Sequence, residues 1–398
     1  MAARPTRSRV ARAAGIAAVV AGTAAGAAGA TAGAAHRSTR MRRRLDAVDT
    51  LELGVRHPFE WTPDRVLSVV SDTGSRLHVE IDEPPGWEGA PTVVFSHGYC
   101  LSLRSWVLQR RALVDAGYRC VLWDQRGHGR SQPAPAATYS IDQLGLDLES
   151  VIAAAAPTGP LVLAGHSMGG MTMMALADQR PGLVDERVVA AAFVATSAGG
   201  VGPATFGVPA GLSRGLGRVA PRLLAGLAAR PGLWRQVRVA ARDVESLLVD
   251  RFSFASPVSE DTVRFAADLL LGTDLDVMGG FITTLEAHDR LPALAAYAGV
   301  DVLVLNGEGD RLTPPEHSLV LVQELPHSEH VVITDAGHLV MLEHPTLVSA
   351  QLMALIDRAA DARAKAVVAA RGRVSRRITD VGRRRRIDRV LDPSGATP

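Results

Sequence analysis

Six times between residues 92 and 334 a short run dominated by Val, Leu and Ala ends in a turn of glycine or polar residues, with helical apolar spacing between the runs. The runs are 92–96 (TVVFS), 119–124 (RCVLWD), 161–165 (LVLAG), 188–196 (VVAAAFVAT), 301–306 (DVLVLN) and 330–334 (HVVIT). This alternation is the pattern of an α/β chain with a mostly parallel sheet and flanking crossover helices. Upstream, 66–71 and 76–82 flank the turn Asp72-Thr73-Gly74 and read as a hairpin, which brings the expected sheet to eight strands. Ligands of such sheets bind beyond the carboxyl ends of the strands, so the residues after each run are the ones to search.

One interval breaks the rhythm. Roughly a hundred residues separate 196 from 301, where a crossover needs a dozen or more. Helical apolar spacing runs through 212–227, 234–250 and 260–271, broken by Pro231 and Pro257. The expected organisation is a first core segment 45–199, a helical cap 200–285 over the catalytic edge, a second core segment 286–357, and terminal segments 1–44 and 358–398. With 47% apolar and 21% charged side chains in 398 residues, most of the chain can bury a core. Its two cysteines, Cys100 and Cys120, cannot build a disulfide framework.

Charge is unevenly placed. Residues 1–44 carry nine Arg and no acid, and 358–398 carry twelve basic side chains and four acids, so a net charge of +2 leaves −15 on the residues between. Basic ends around an acidic body suit an anionic membrane surface; no nucleic-acid recognition module accompanies them. Residues 13–35 are uncharged and long enough to span a bilayer, though Ala and Gly contribute little to partitioning. A signal peptide is the rival reading, since Arg4, Arg7, Arg9 and Arg12 form a basic leader; Arg37, Arg40 and Arg42 to Arg44 follow at once and resist translocation, so the expectation is a body on the cytoplasmic face of the cell membrane. In the other basic end, Arg376, Arg377 and Arg383 to Arg386 alternate with Val374, Ile378, Val381 and Ile387, as in a helix lying on headgroups.

The most chemically informative stretch is 161–170, LVLAGHSMGG. A buried strand runs into Gly165-His166-Ser167-Met168-Gly169 and then into an apolar helix. Small residues two before and two after Ser167 let the chain turn sharply from strand to helix, exposing the hydroxyl at a helix N-terminus. Here the chain resembles the α/β hydrolase family, and other motifs extend the resemblance over residues 60–357. His97-Gly98-Tyr99 after the first parallel strand is similar to the family's oxyanion loop. Asp124 to Ser131 (DQRGHGRS) is similar to its DxRGxGxS loop, a buttress rather than chemistry.

A serine hydroxyl needs a base, and the base needs an acid to fix its tautomer. Of twelve His, the resemblance implies His338, in Asp335-Ala336-Gly337-His338 after the last strand. It implies Asp310 as the acid, with Glu308 and Asp289 as alternatives, and the backbone NH groups of Tyr99 and Met168 as the oxyanion donors. Ser at the elbow departs from the epoxide hydrolase and dehalogenase branches, which carry Asp there. The resemblance implies a serine hydrolase of carboxylic esters, with a small-molecule or lipid ester as substrate and no cofactor. Neither a CxxC pair nor HExxH is present. The same triad would also cleave thioesters, lactones or C–C bonds beside carbonyls. The competing reading is a membrane-tethered binding protein using the same cleft.

Overall fold

The computed structural model describes residues 57–200, 253–361 and 372–391. Its elements in chain order are β1 (Arg65–Val70), β2 (Arg76–Asp82), β3 (Thr92–Ser96), α1 (Val107–Asp115), β4 (Cys120–Trp123), α2 (Ile141–Ala155), β5 (Leu161–His166), α3 (Met168–Gln179), α4 (Pro181–Arg187) and β6 (Val188–Val194). After the interval come α5 (Glu260–Leu271), α6 (Leu275–Glu286), β7 (Asp301–Gly307), α7 (Pro315–Glu324), β8 (Glu329–Ile333), α8 (Val340–Glu343), α9 (Pro345–Asp361), β9 (Val374–Ile378) and α10 (Val381–Leu391). The expected helices over 212–227 and 234–250 and the apolar stretch 13–35 lie outside the described residues. Among the described residues no helix is long and apolar enough to cross a membrane.

The strands form one sheet in the order β1-β2-β4-β3-β5-β6-β7-β8-β9. β1 and β2 pair antiparallel, β2 meets β4 antiparallel, and every other pairing is parallel. The hairpin closes where Gly74, at φ 80°, donates its NH to the Ser71 carbonyl at 2.9 Å. β3, β4, β5 and β7 are buried along their whole lengths, which explains why they read as continuous apolar runs. Helices cover both faces, and side chains of alternate parity feed two large apolar clusters, one around Phe95, Trp106 and Leu303, the other around Trp123, Phe193 and Tyr297. Helix starts follow local signals: Ser140 accepts from Gln143 N at α2, and Ser259 accepts from Thr262 N at α5.

The sheet has nine strands where eight were expected. The ninth, β9, lies in the segment read as a basic tail and pairs parallel with β8. Its side chains are mostly exposed, as an edge strand permits, and Arg376 and Arg377 pair with Glu329 and Glu308. The following helix α10 forms where the basic apolar alternation suggested one. Ile387 and Arg383 are buried in it, and Asp380 ahead of it lies 3.6 Å from the His344 ring.

Candidate active site

Ser167 stands between β5 and α3 with φ 51° and ψ −118°, a conformation that L-residues avoid and that costs about 1–3 kcal/mol. Surroundings hold it there. Ser167 N donates to the Val194 carbonyl at 3.0 Å, and the Thr196 hydroxyl donates to the Ser167 carbonyl at 2.7 Å. A Cβ on Gly165 would sit 2.6 Å from the Gly169 backbone, and one on Gly169 would enter the Ser96 carbonyl. Both glycines are thus demanded by close packing of β5, α3 and β3. The turn leaves Ser167 half-buried while His166 before it is fully buried.

The register of β3 on β5 pairs Ser96 with Gly165, so His97-Gly98-Tyr99 emerges beside His166-Ser167-Met168. Met168 is the first residue of α3, and its NH therefore lacks an intrahelical acceptor. The Tyr99 loop is fixed from behind: His97 Nε2 accepts from Gln125 N at 2.8 Å, the Gln125 amide donates to the His97 carbonyl, and Cys100 N donates to His128 Nε2 at 3.2 Å. Burial pushes His128 down to about 4, so it stays neutral and accepts. The Tyr99 hydroxyl reaches into the expected cap and donates to the Met278 carbonyl of α6 at 2.7 Å. The DxRGxGxS segment serves as a brace: Asp124 accepts from Leu103 N and Arg130 N, and Arg126 pairs with Asp147 at 2.6 Å, both fully buried.

Asp310 and His338 come together because their loops are zipped beyond β7 and β8. Glu308 N donates to the Ile333 carbonyl at 2.9 Å and Gly309 N to the Ala336 carbonyl at 2.8 Å. His338 Nδ1 lies 2.9 Å from Asp310 Oδ2. Asp310 Oδ1 accepts from Leu312 N and Thr313 N, and Oδ2 also takes the Thr313 hydroxyl at 2.8 Å. Burial alone would raise the Asp310 carboxyl, but the charge and hydrogen bond of His338 and the Thr313 donors outweigh it and hold it below the usual carboxylate range. A carboxylate facing Nδ1 keeps the proton on that nitrogen and leaves Nε2 as the basic site.

His166 does not point into the cleft. Its Nε2 donates to the His338 carbonyl at 3.0 Å, the two rings lie 4.7 Å apart, and burial lowers it to about 3. The loops of Ser167 and His338 are therefore adjacent. Other candidates are occupied elsewhere. Glu308 pairs with Arg377, His317 bonds Ser197, His327 bonds the Val300 carbonyl and His330 bonds Asn306, while the backbone of Asp289 bridges Gly199. Within the expected cap, Phe254 and Phe281 are buried in packing, Phe281 against Tyr139 and His128. Sequence reasoning missed Thr313, whose only signal is its place three residues after Asp310. No group of three or more His, Cys, Asp or Glu among the described residues could hold a metal ion.

Comparison with known proteins agrees with this architecture. The model of the alpha/beta hydrolase fold family matches residues 91–345. Over 266 residues the chain is 28% identical to the sn-1-specific diacylglycerol lipase ABHD11 of Mus musculus, covering 64% of this chain and 77% of that protein. Over 104 residues it is 36% identical to epoxide hydrolase 1 of Caenorhabditis elegans, a match spanning 26% of this chain and 25% of that relative's length. Among solved structures it is similar in fold to a thermophilic esterase from Thermogutta terrifontis, with a TM-score of 0.56 and 22% identity over 74% of this chain and 99% of that one.

Proposed function

The chain belongs to the α/β hydrolase fold family, and from that premise we propose that it is a serine hydrolase of carboxylic esters working through Ser167, His338 and Asp310. The observation that carries this reading is the His338 Nδ1 to Asp310 Oδ2 bond at 2.9 Å, formed on the loop next to a serine in a strained strand-to-helix turn. His338 Nε2 takes the Ser167 proton as Oγ attacks the ester carbonyl, and the NH groups of Tyr99 and Met168 stabilise the oxyanion. Collapse expels the alcohol with the proton from His338. Water then repeats the sequence on the acyl-enzyme and releases the acid. Electrostatic donors of this kind typically contribute about 10² to 10³ each in rate.

The substrate class is a lipid-like ester, with residues 200–285 as the cap over the cleft and with 13–35 and the basic ends holding the body at an anionic membrane. Similarity to a diacylglycerol lipase supports it. Hydrolysis of nitrophenyl esters of increasing acyl length tests the substrate class: kcat/KM rising from acetyl to medium chains is expected, and a clear preference for acetyl overturns it.

A further inference from the structure

Glu343 ends the short helix α8, five residues beyond His338, and is fully buried. Its carboxylate lies between two segments far apart in sequence. Oε2 accepts from Gly337 N at 2.6 Å, the residue before His338. Oε1 accepts from Ala255 N at 3.0 Å, Ser256 N at 2.5 Å and the Ser256 hydroxyl at 2.7 Å, in the stretch of the expected cap just before α5. All four partners are donors, so only the ionised carboxylate satisfies them.

The same two segments touch again beside it. Leu339 N donates to the Ser253 carbonyl at 2.9 Å, and a Cβ on Gly337 would sit 2.6 Å from that same oxygen. Every peptide around His338 is thereby held: Gly337 by Glu343, the His338 carbonyl by His166, and Leu339 by Ser253. Residues 253–256 form part of the wall of the His338 loop, and the Glu343 side chain is bonded to both.

We propose that Glu343 is a positioning residue for His338, tying the base's loop to residues 253–256 of the expected cap so that the two keep one geometry. The inference rests on the reading of His338 as the base. Glu343→Gln keeps the volume and an acceptor at Oε1 but turns an amide NH₂ towards Gly337 N, breaking that contact alone. In the full chain, kcat for a nitrophenyl ester is expected to fall about ten- to hundredfold with KM within about twofold, and hydrogen exchange to speed up at Gly337 and at 255–256 together. Ser256→Ala removes one hydroxyl contact from the cap side, folds irrespective of Glu343→Gln, and is expected to lower kcat about two- to fivefold at unchanged KM. Wild-type kcat in either folded variant, or a change confined to KM, overturns the inference while the ester hydrolase reading stands. A wild-type chain that is inactive and unreactive at Ser167 overturns the hydrolase reading, and the positioning role with it.

Discussion

Ser167 carries a strained backbone, and strain is testable apart from chemistry. At φ 51° and ψ −118° a glycine is at ease and an alanine is not. Ser167→Gly is expected to unfold at higher urea than Ser167→Ala, by about 1 kcal/mol after the glycine's extra chain entropy, although both lack the hydroxyl. Equal stabilities would show that the turn stores no strain. Asp310→Asn presents an amide donor to His338 Nδ1 and favours the wrong tautomer; kcat is expected to fall by about 10⁴ with little change in KM, as steady-state kinetics would show. The serine was legible in the sequence because its turn demands glycines at fixed offsets. Asp310 and His338 were named through the family resemblance, each in the loop after a buried strand. Thr313 and Glu343 were not, since their roles depend on how loops pack, and Glu343 meets Ser256 across 87 residues.

Among the elements, the central strands announce themselves because burial on both faces favours Val, Leu and Ala at most positions. β9 does not, since an exposed edge tolerates Arg376 and Arg377 and its apolar content is slight. Its place covers the open side of β8, where Thr334 N donates to the Ile378 carbonyl and Val374 N to the Ser328 carbonyl. Truncation after residue 371 is expected to lower the melting temperature and to produce concentration-dependent association by size-exclusion chromatography, because β8 becomes an unprotected edge. A monodisperse truncation of unchanged stability would contradict that role. At the opposite side of the site, α6 is pinned to the 97–99 loop through the Tyr99 hydroxyl. Tyr99→Phe spares the backbone NH and is expected to cost about 1 kcal/mol in urea unfolding while kcat stays within a few-fold. A kcat collapse would assign the hydroxyl itself to the chemistry.

At the scale of the whole molecule, buried rings set the acid limit of stability. Burial holds His128 at about 4, His166 at about 3 and His288 at about 4, each below the ordinary histidine value. The unfolded chain takes up protons on them near 6.5 and the folded chain does not. Their contribution is complete above that pH and is lost as pH falls towards 4, by up to about 1.4 kcal/mol per ring and pH unit. Asp124, raised to about 6 by burial, works in the opposite sense, and so do Asp147 and Glu343. Urea unfolding is expected to show a net loss of about 2 kcal/mol between pH 7.5 and 5.5; a flat profile would contradict a net destabilisation by the rings over the carboxyls.

The most direct test of a Ser167 hydrolase is covalent. The folded full-length chain and its Ser167→Ala variant are treated with a fluorophosphonate, the adduct is located by peptide mass spectrometry, and ester turnover is measured on the same samples. A single phosphonyl group on Ser167 of the wild type, with labelling and turnover both absent from the variant, is the expected result. A folded wild type that takes no label, or turnover that survives in the variant, would contradict it.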